Sequence, residues 1–106
     1  MWMNHTIATG EPSDLAQAVE LMTKPEVREA FTRAPGFRAL YLNINLDDPG
    51  EVISISVWDS PEQGQAFYSG PEYKQILGSA RHLVKAVGRK SFAVRMEHLA
   101  VETQPA

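Results

Sequence analysis

From Phe37 the chain alternates. Leu40, Leu42, Ile44 and Leu46 are interleaved with Ala39, Tyr41, Asn43 and Asn45, the two-residue period of a strand. Asp47-Asp-Pro-Gly50 places Pro and Gly where a tight turn uses them. Alternation then resumes over Val52 to Trp58, with Ile53, Ile55 and Val57 against Ser54, Ser56 and Trp58. Two alternating runs about a turn predict a β-hairpin. Upstream, Trp2 to Thr9 carries a modest strand signal around Thr6 and Ile7, and Gly10-Glu-Pro12 breaks it. Ser13 is a good N-cap, and Leu15, Ala18, Val19 and Met22 recur after it at helical spacing. Pro25 interrupts. Thr23-Lys-Pro-Glu26 spells a capping box from which a second helical piece restarts, with Val27, Ala30, Phe31 and Ala34 on its apolar face. Pro35-Gly36 ends it.

Beyond the hairpin, Ser60, Pro61 and Gln63 stand as cap, first helical residue and capping-box partner. Gly64 weakens this helix and Ser69-Gly70 interrupts it, with Ser69 placed to cap the next one. Pro71 then opens a longer helix on which Tyr73, Ile76, Leu77, Ala80, Leu83, Val84 and Val87 share one face, with Gly88 as its stop. Ser91 to Val101 reads as the last strand, Phe92, Val94 and Met96 alternating with Ala93, Arg95 and Glu97. Glu102 to Ala106 reads as a frayed tail. The order strand, helix, strand, strand, helix, strand predicts an α+β fold: a ferredoxin-like βαββαβ domain over residues 1–101, with a four-stranded antiparallel sheet and both helices on one face.

Strand parity sorts the sheet into two lists. One holds Leu40, Leu42, Ile44, Leu46, Ile53, Ile55 and Val57, joined by Phe92, Val94 and Met96. The other holds Tyr41, Asn43, Asn45, Ser54, Ser56, Trp58 and Arg95, with Trp2, Asn4 and Thr6. Parity leaves open which list meets the helices. At about 25 cal/mol per Å² of apolar area, an open sheet with a list as apolar as the first needs a second subunit over its free face, so a homodimer is expected. Two tryptophans and a tyrosine among polar residues suit either a wet subunit interface or a small-molecule cavity.

Composition narrows the partners. A formal charge of −3 with scattered Lys and Arg argues against nucleic acid or an anionic membrane surface. No apolar run reaches the ~20 residues of a bilayer span, and MWMNHTIATG lacks the features of a signal peptide. The absence of cysteine excludes disulfides, thiolate nucleophiles and iron–sulfur ligation; the expectation is a cytoplasmic protein. His5, His82 and His98 share no ligand spacing, so no metal site is expected. Asp47, Asp48 and Glu51 read as solvated turn residues. Arg95 suits an anionic phenolate, or else an ion pair with Glu97 or a partner subunit.

Ala34-Pro-Gly-Phe37, Asp47-Asp-Pro-Gly50, and Val57-Trp-Asp-Ser60 with Ala66-Phe67 and Pro71-x-Tyr73-Lys74 after it resemble the antibiotic biosynthesis monooxygenases, a family of dimeric α+β barrels, over residues 3 to 101. The resemblance implies a homodimer whose sheets pack together, with a small-ligand pocket between sheet and helices. It also implies oxidation of an aromatic, quinol-type small molecule by O2 without metal or flavin. By this resemblance Trp58 takes the place of a pocket tryptophan, Ser54 stands where those oxygenases carry an asparagine, and Gly64 where they carry a tyrosine; Tyr68 or Tyr73 could substitute for it. The pocket candidates are then Trp58, Ser54, Tyr41, Asn43, Asn4, Phe67, Tyr73 and Arg95, with no catalytic residue assigned. A haem-degrading branch of the family is matched at Asn4, but Phe67 replaces its tryptophan and Ile76 or Leu77 its histidine. His82 lies about nine residues past Tyr73, turned away from the apolar face at 100° per residue, so haem is disfavoured and no cofactor is expected. The alternative to an oxygenase is a non-catalytic small-ligand-binding or stress-associated dimer.

Overall fold

The computed structural model describes residues 1–100. The expected frayed tail, and the expected end of the last strand at Val101, lie outside them. Within them the chain runs β1 (Trp2–Thr9), α1 (Pro12–Met22), α2 (Pro25–Arg33), β2 (Phe37–Ile44), β3 (Glu51–Trp58), α3 (Pro61–Ser69), α4 (Pro71–Ala80), a 3-10 turn (Arg81–Leu83) and β4 (Ala86–Ala93). The strands form one antiparallel sheet in the order β2-β3-β1-β4. This is the ferredoxin-like arrangement expected, with each of its two helices broken in two by a proline.

Proline at the first turn starts all four helices, where its missing N–H costs no hydrogen bond. Only one of the expected hydroxyl caps forms: Ser60 Oγ accepts from Gln63 N at 3.3 Å. α1 begins before Ser13, with Glu11 at its cap. Thr23 Oγ1 donates back to Glu20 O at 2.8 Å, and Ser69 Oγ to Gln65 O at 2.8 Å. Both hydroxyls therefore finish the preceding helix instead of starting the next. Between α2 and β2, Gly36 adopts φ +82° and a side chain there would strike Gln63, so the Pro-Gly-Phe corner requires glycine.

Two expectations are corrected. The helix expected to continue to Val87 stops at Ala80, and the last strand begins at Ala86, not Ser91. Lys85 N donates to Thr9 O at 2.7 Å, and from there β4 pairs residue for residue with β1, Thr9 opposite Ala86 through Trp2 opposite Ala93. β4 is an edge strand, so polar Arg89, Lys90 and Ser91 are tolerated on it and its alternation is weak. Val94, Arg95, Met96 and Glu97 lie beyond it. There Glu97 joins Asp59 as an ion partner of Arg38. β2 likewise ends before Asn45 and Leu46, and Leu46 is 95% exposed.

The second correction concerns the faces. The hairpin pairs Ile44 with Val52 and Leu42 with Ser54, so even-numbered residues of β2 share a face with even-numbered residues of β3. Leu40, Leu42 and Ile44 therefore lie with Ser54, Ser56 and Trp58 toward the helices, while Ile53, Ile55 and Val57 lie with Tyr41 and Asn43 on the other face. β1 extends the pattern, placing Trp2, Asn4, Thr6 and Ala8 inward opposite Trp58, Ser56, Ser54 and Val52.

The core is correspondingly aromatic at the Trp58 end, where Trp2, Phe31, Trp58, Tyr68 and Tyr73 pack together with Phe37 and Phe67 against them. Gly64 lets α3 sit down on this cluster: a Cβ there would fall 2.2 Å from the Trp2 ring and 3.1 Å from Cγ of Trp58. Around Gly78 of α4 there is open space. The two helical glycines therefore respond oppositely to alanine. Gly78→Ala is expected to stabilise by about 0.5–1 kcal/mol, the ordinary helix gain. Gly64→Ala is expected to destabilise by about 1–3 kcal/mol, because the overpacking of rigid indoles exceeds that gain. Urea unfolding of the two variants measures both signs, and a stabilised Gly64→Ala protein would refute the packing account.

Candidate functional site

The helix-facing side of the sheet divides into two halves. At the Trp58 end the floor is polar but closed. Trp58 is 0% exposed, so its indole N–H requires a partner, and it donates to Ser56 Oγ at 2.9 Å. Ser56 Oγ in turn shares a 2.6 Å hydrogen bond with the Tyr68 hydroxyl from α3. Buried Asn4 donates to Thr6 Oγ1 at 3.1 Å. No buried side-chain nitrogen or oxygen among the described residues lacks a partner. Burial pushes the Tyr68 phenol above its ordinary value, and the hydrogen bond shared with Ser56 only partly offsets this. Tyr68 is therefore a neutral hydrogen-bonding group at physiological pH and not a base.

At the other end lies a cavity of about 80 Å³, partly open to solvent, between the sheet and helices α1 and α4. Ala18 and Met22 of α1, Leu77 and Ala80 of α4, and Val84 and Val87 supply apolar walls. Thr6, Ser54 and Tyr73 supply its hydroxyls. Phe31 and Tyr73 belong both to the aromatic cluster and to the cavity wall, so they form the partition between the halves.

The expected pocket residues are thus distributed over four environments. Ser54 and Tyr73 line the cavity. Trp58, Asn4 and Phe67 lie in the packed half behind the partition, Phe67 with its ring 5.3 Å from that of Trp58. Tyr41 and Asn43 are on strand positions of the opposite face; Tyr41 is 58% exposed, and the Asn43 amide donates to Ile53 O at 3.1 Å. Asn43 nonetheless borders the cavity along β2. Arg95 is exposed beyond β4. One residue not singled out as a site candidate lines the cavity, Thr6. Arg89 lies outside the lining, its guanidinium carbon 4.7 Å from the Tyr68 ring centroid and 5.2 Å from that of Tyr73, a cation–π geometry. Arg89 becomes legible only once β4 is registered on β1.

Residues 12–78 match the profile of the antibiotic biosynthesis monooxygenases. The chain belongs to that family. Its fold is shared with solved structures at low sequence identity. A candidate antibiotic biosynthesis monooxygenase from Deinococcus radiodurans is 16% identical with a TM-score of 0.77, the match covering 97% of this chain and 100% of that one. Another candidate from Chloroflexus aurantiacus is 19% identical with a TM-score of 0.73, covering 92% and 95%. SnoaB, a cofactor-independent oxygenase from Streptomyces nogalater, is 19% identical with a TM-score of 0.66, covering 91% and 92%. Among curated proteins, the structure-specific endonuclease subunit SLX4 of Drosophila melanogaster is 28% identical over 101 residues, which are 92% of this chain but 9% of that protein. The chain thus spans under a tenth of the length of that relative.

The residues of this family member do not fit haem. A cavity of about 80 Å³ falls far short of a porphyrin, and no histidine lines it: His82 is exposed on the 3-10 turn, His5 faces the other side of the sheet, and His98 lies beyond β4. No group of three His, Cys, Asp or Glu side chains suited to a metal ion occurs among the described residues, and none of their helices is long and apolar enough to cross a membrane.

The Ser56 hub sets a stability prediction. Ser56→Ala strands two buried polar groups and is expected to cost about 2–3 kcal/mol, whereas Tyr68→Phe leaves the Trp58–Ser56 bond intact and costs about 1 kcal/mol. Because the folded-state value of Tyr68 is raised, its contribution is fully present below the ordinary tyrosine value of about 10 and is lost as pH rises through the higher folded value. Thermal unfolding monitored from neutral to strongly alkaline pH should show a smaller alkaline decline in Tyr68→Phe than in the wild type. Equal declines would mean that Tyr68 is not held neutral by the fold.

Proposed function

We propose that this protein is a cofactor-independent oxygenase, one domain over residues 1–101, acting on a small quinol or phenol in the cavity beneath α1 and α4. The carrying observation is the cavity itself: apolar walls, three hydroxyl-bearing residues and, among the described residues, no carboxylate or imidazole. Such a site can position a ring and keep water away, which are the contributions an electron-rich substrate needs when it reduces O2 itself. The atoms balance without a cofactor: a phenol, through its O–H and one ring C–H, and O2 give a quinone and water, the two electrons of each of these bonds reducing the oxygen. The volume bounds the substrate. About 80 Å³ is roughly half of what encloses a benzene ring in an engineered cavity of about 150 Å³, so a single ring fits with one edge toward the open side. Larger ring systems require movement of flexible Met22 or Leu77.

Ser54 and Tyr73 are the proposed ligand-touching residues, with Trp58, Asn4 and Phe67 supporting the wall behind them. The face bearing Ile7, Ile53, Ile55, Tyr41 and Phe92 is the proposed homodimer surface, since Tyr41 and Phe92 stand exposed on it. The cysteine-free composition supports a cytoplasmic setting. A second reading, a non-catalytic binder of the same ligands, is favoured by the complete internal pairing of the Ser56 network.

Oxygen consumption decides between the readings. Hydroquinone or anthrone is expected to drive O2 uptake, and Leu77→Trp, which fills the cavity, to reduce it at least about tenfold, as expected when the reacting groups are displaced. Uptake no faster than with Leu77→Trp protein across a quinol panel would leave the binder. Independently, light scattering should give twice 11.8 kDa for the wild type and a lower mass for Ile55→Asp. A wild-type mass of one chain at micromolar concentration would overturn the dimer.

A further inference from the structure

Register orders the sheet face turned away from the helices into rows. Tyr41, Ile55, His5 and Lys90 form one row across the four strands, with Val57, Met3 and Phe92 in the row beside it. Tyr41 and Phe92 are exposed, and Met3, His5 and Ile55 are half-buried. Four strands of eight residues, at about 3.3 Å per residue and about 4.8 Å between strands, cover about 500 Å². Two copies meeting on this face bury about 1,000 Å², the size at which specific interfaces begin.

His5 stands in the middle of that face in apolar company. Its Nε2 lies 3.2 Å from Met3 Sδ, and its ring centroid 4.7 Å from that of Phe92. A thioether is a weak acceptor, enough for a neutral imidazole N–H but no counter-ion for an imidazolium. The charged group beside it is Lys90 on β4, of the same sign as an imidazolium. β3 presents Ile55 there, and β2 the Tyr41 phenol at the far end of the row. Carboxylates stand only toward the ends of the sheet and are engaged elsewhere. Glu51, about 13 Å along β3, accepts from Asn45 Nδ2 at 3.1 Å, and Asp59 and Glu97 both pair with Arg38. Among the described residues neither His5 nor Lys90 has a carboxylate within 4.0 Å.

We propose that His5 is a proton-operated switch of the homodimer: neutral, it packs between two copies, and protonated, it opposes their association. The inference rests on the homodimer surface assigned above and adds its regulation. On a single copy the face meets water, and an imidazolium there stays hydrated. A second copy removes that water and leaves the charge buried beside Lys90 without a counter-ion. A twofold axis brings the same pair from the second copy, so the penalty is counted twice. The associated state therefore binds fewer protons than two separate copies, and association weakens as pH falls. Histidine changes charge between pH 5 and 8, whereas tyrosine, lysine and carboxylates ordinarily titrate outside that range. Overall charge works in the opposite direction. Protonating all three histidines brings a formal charge of −3 to zero, which lessens repulsion between copies. Weakening on acidification is thus the mark of a local group.

The test is the dimer dissociation constant of the full-length chain, measured by sedimentation velocity at pH 8 and pH 5 at one ionic strength. The constant is expected to rise about 10- to 100-fold at pH 5, up to about tenfold for each histidine, with an unchanged far-UV circular dichroism spectrum. His5→Gln keeps an N–H donor for Met3 but takes up no proton, and should dimerise equally at both values. Lys90→Met removes the like charge and should shrink the pH effect. Lys90 is exposed on the edge strand, so that variant carries the test even where His5→Gln does not fold. A constant that does not rise at pH 5, a rise that survives His5→Gln or is undiminished in Lys90→Met, or one accompanied by loss of the spectrum would overturn the switch. A dimer of equal strength at both pH values refutes the switch alone, whereas a single chain at both refutes the homodimer surface with it.

Discussion

The buried hydrogen bond from Trp58 Nε1 to Ser56 Oγ sets terms that the rest of the structure meets. An indole with 0% exposure can stay in a dry core only if its N–H is paired. The nearest same-face position on a strand is two residues away, and Ser56 occupies it. One serine hydroxyl then serves two aromatic residues, which fixes Tyr68 and with it the height of α3 above the sheet. At that height the position facing Trp2 has no room for a Cβ. The hydrogen bond thus dictates Gly64, although as a helix residue it is unfavourable by about 1 kcal/mol.

How much of this is legible in the sequence depends on how local the deciding interaction is. The hairpin, the helical breaks at Pro25 and Pro71 and the Ser60 cap are set by neighbours within a few residues, and they are where the sequence places them. The hydroxyls of Thr23 and Ser69 had two partners within reach, one in the helix behind and one in the helix ahead, and sequence spacing does not rank them. The face assignment turned on one quantity, the parity of the pair Ile44 and Val52. Parity within each strand does not say how two strands match, and a register differing by one residue exchanges the faces of a whole strand, which separates Leu40, Leu42 and Ile44 from the isoleucines of β3.

The site was legible in its residue types more than in its positions. Ser54 and Tyr73 line the cavity because their own elements show clear periods. Tyr41 and Asn43 were grouped with them by the same parity error. Arg95 was grouped with them because the apolar run Phe92, Val94, Met96 resembles a strand, whereas the true β4 starts five residues earlier and carries charge. Thr6 and Arg89 stand together only through the pairing of the first strand with the last, some eighty residues apart in the chain, and no local pattern encodes that.

The two halves of the helix-facing surface also divide the labour of any reaction there. In the aromatic half every polar atom is spent on another, so it is rigid and offers nothing to a ligand. Its rigidity passes to the cavity through Phe31 and Tyr73, which belong to both. In the cavity half the polar side chains are few and the walls are apolar. With no carboxylate or imidazole among its described lining residues, a site of that kind offers shape and a few hydroxyls but no base. The closed Trp58–Ser56–Tyr68 network, with the Tyr68 ring 4.6 Å from that of Tyr73, holds this wall still.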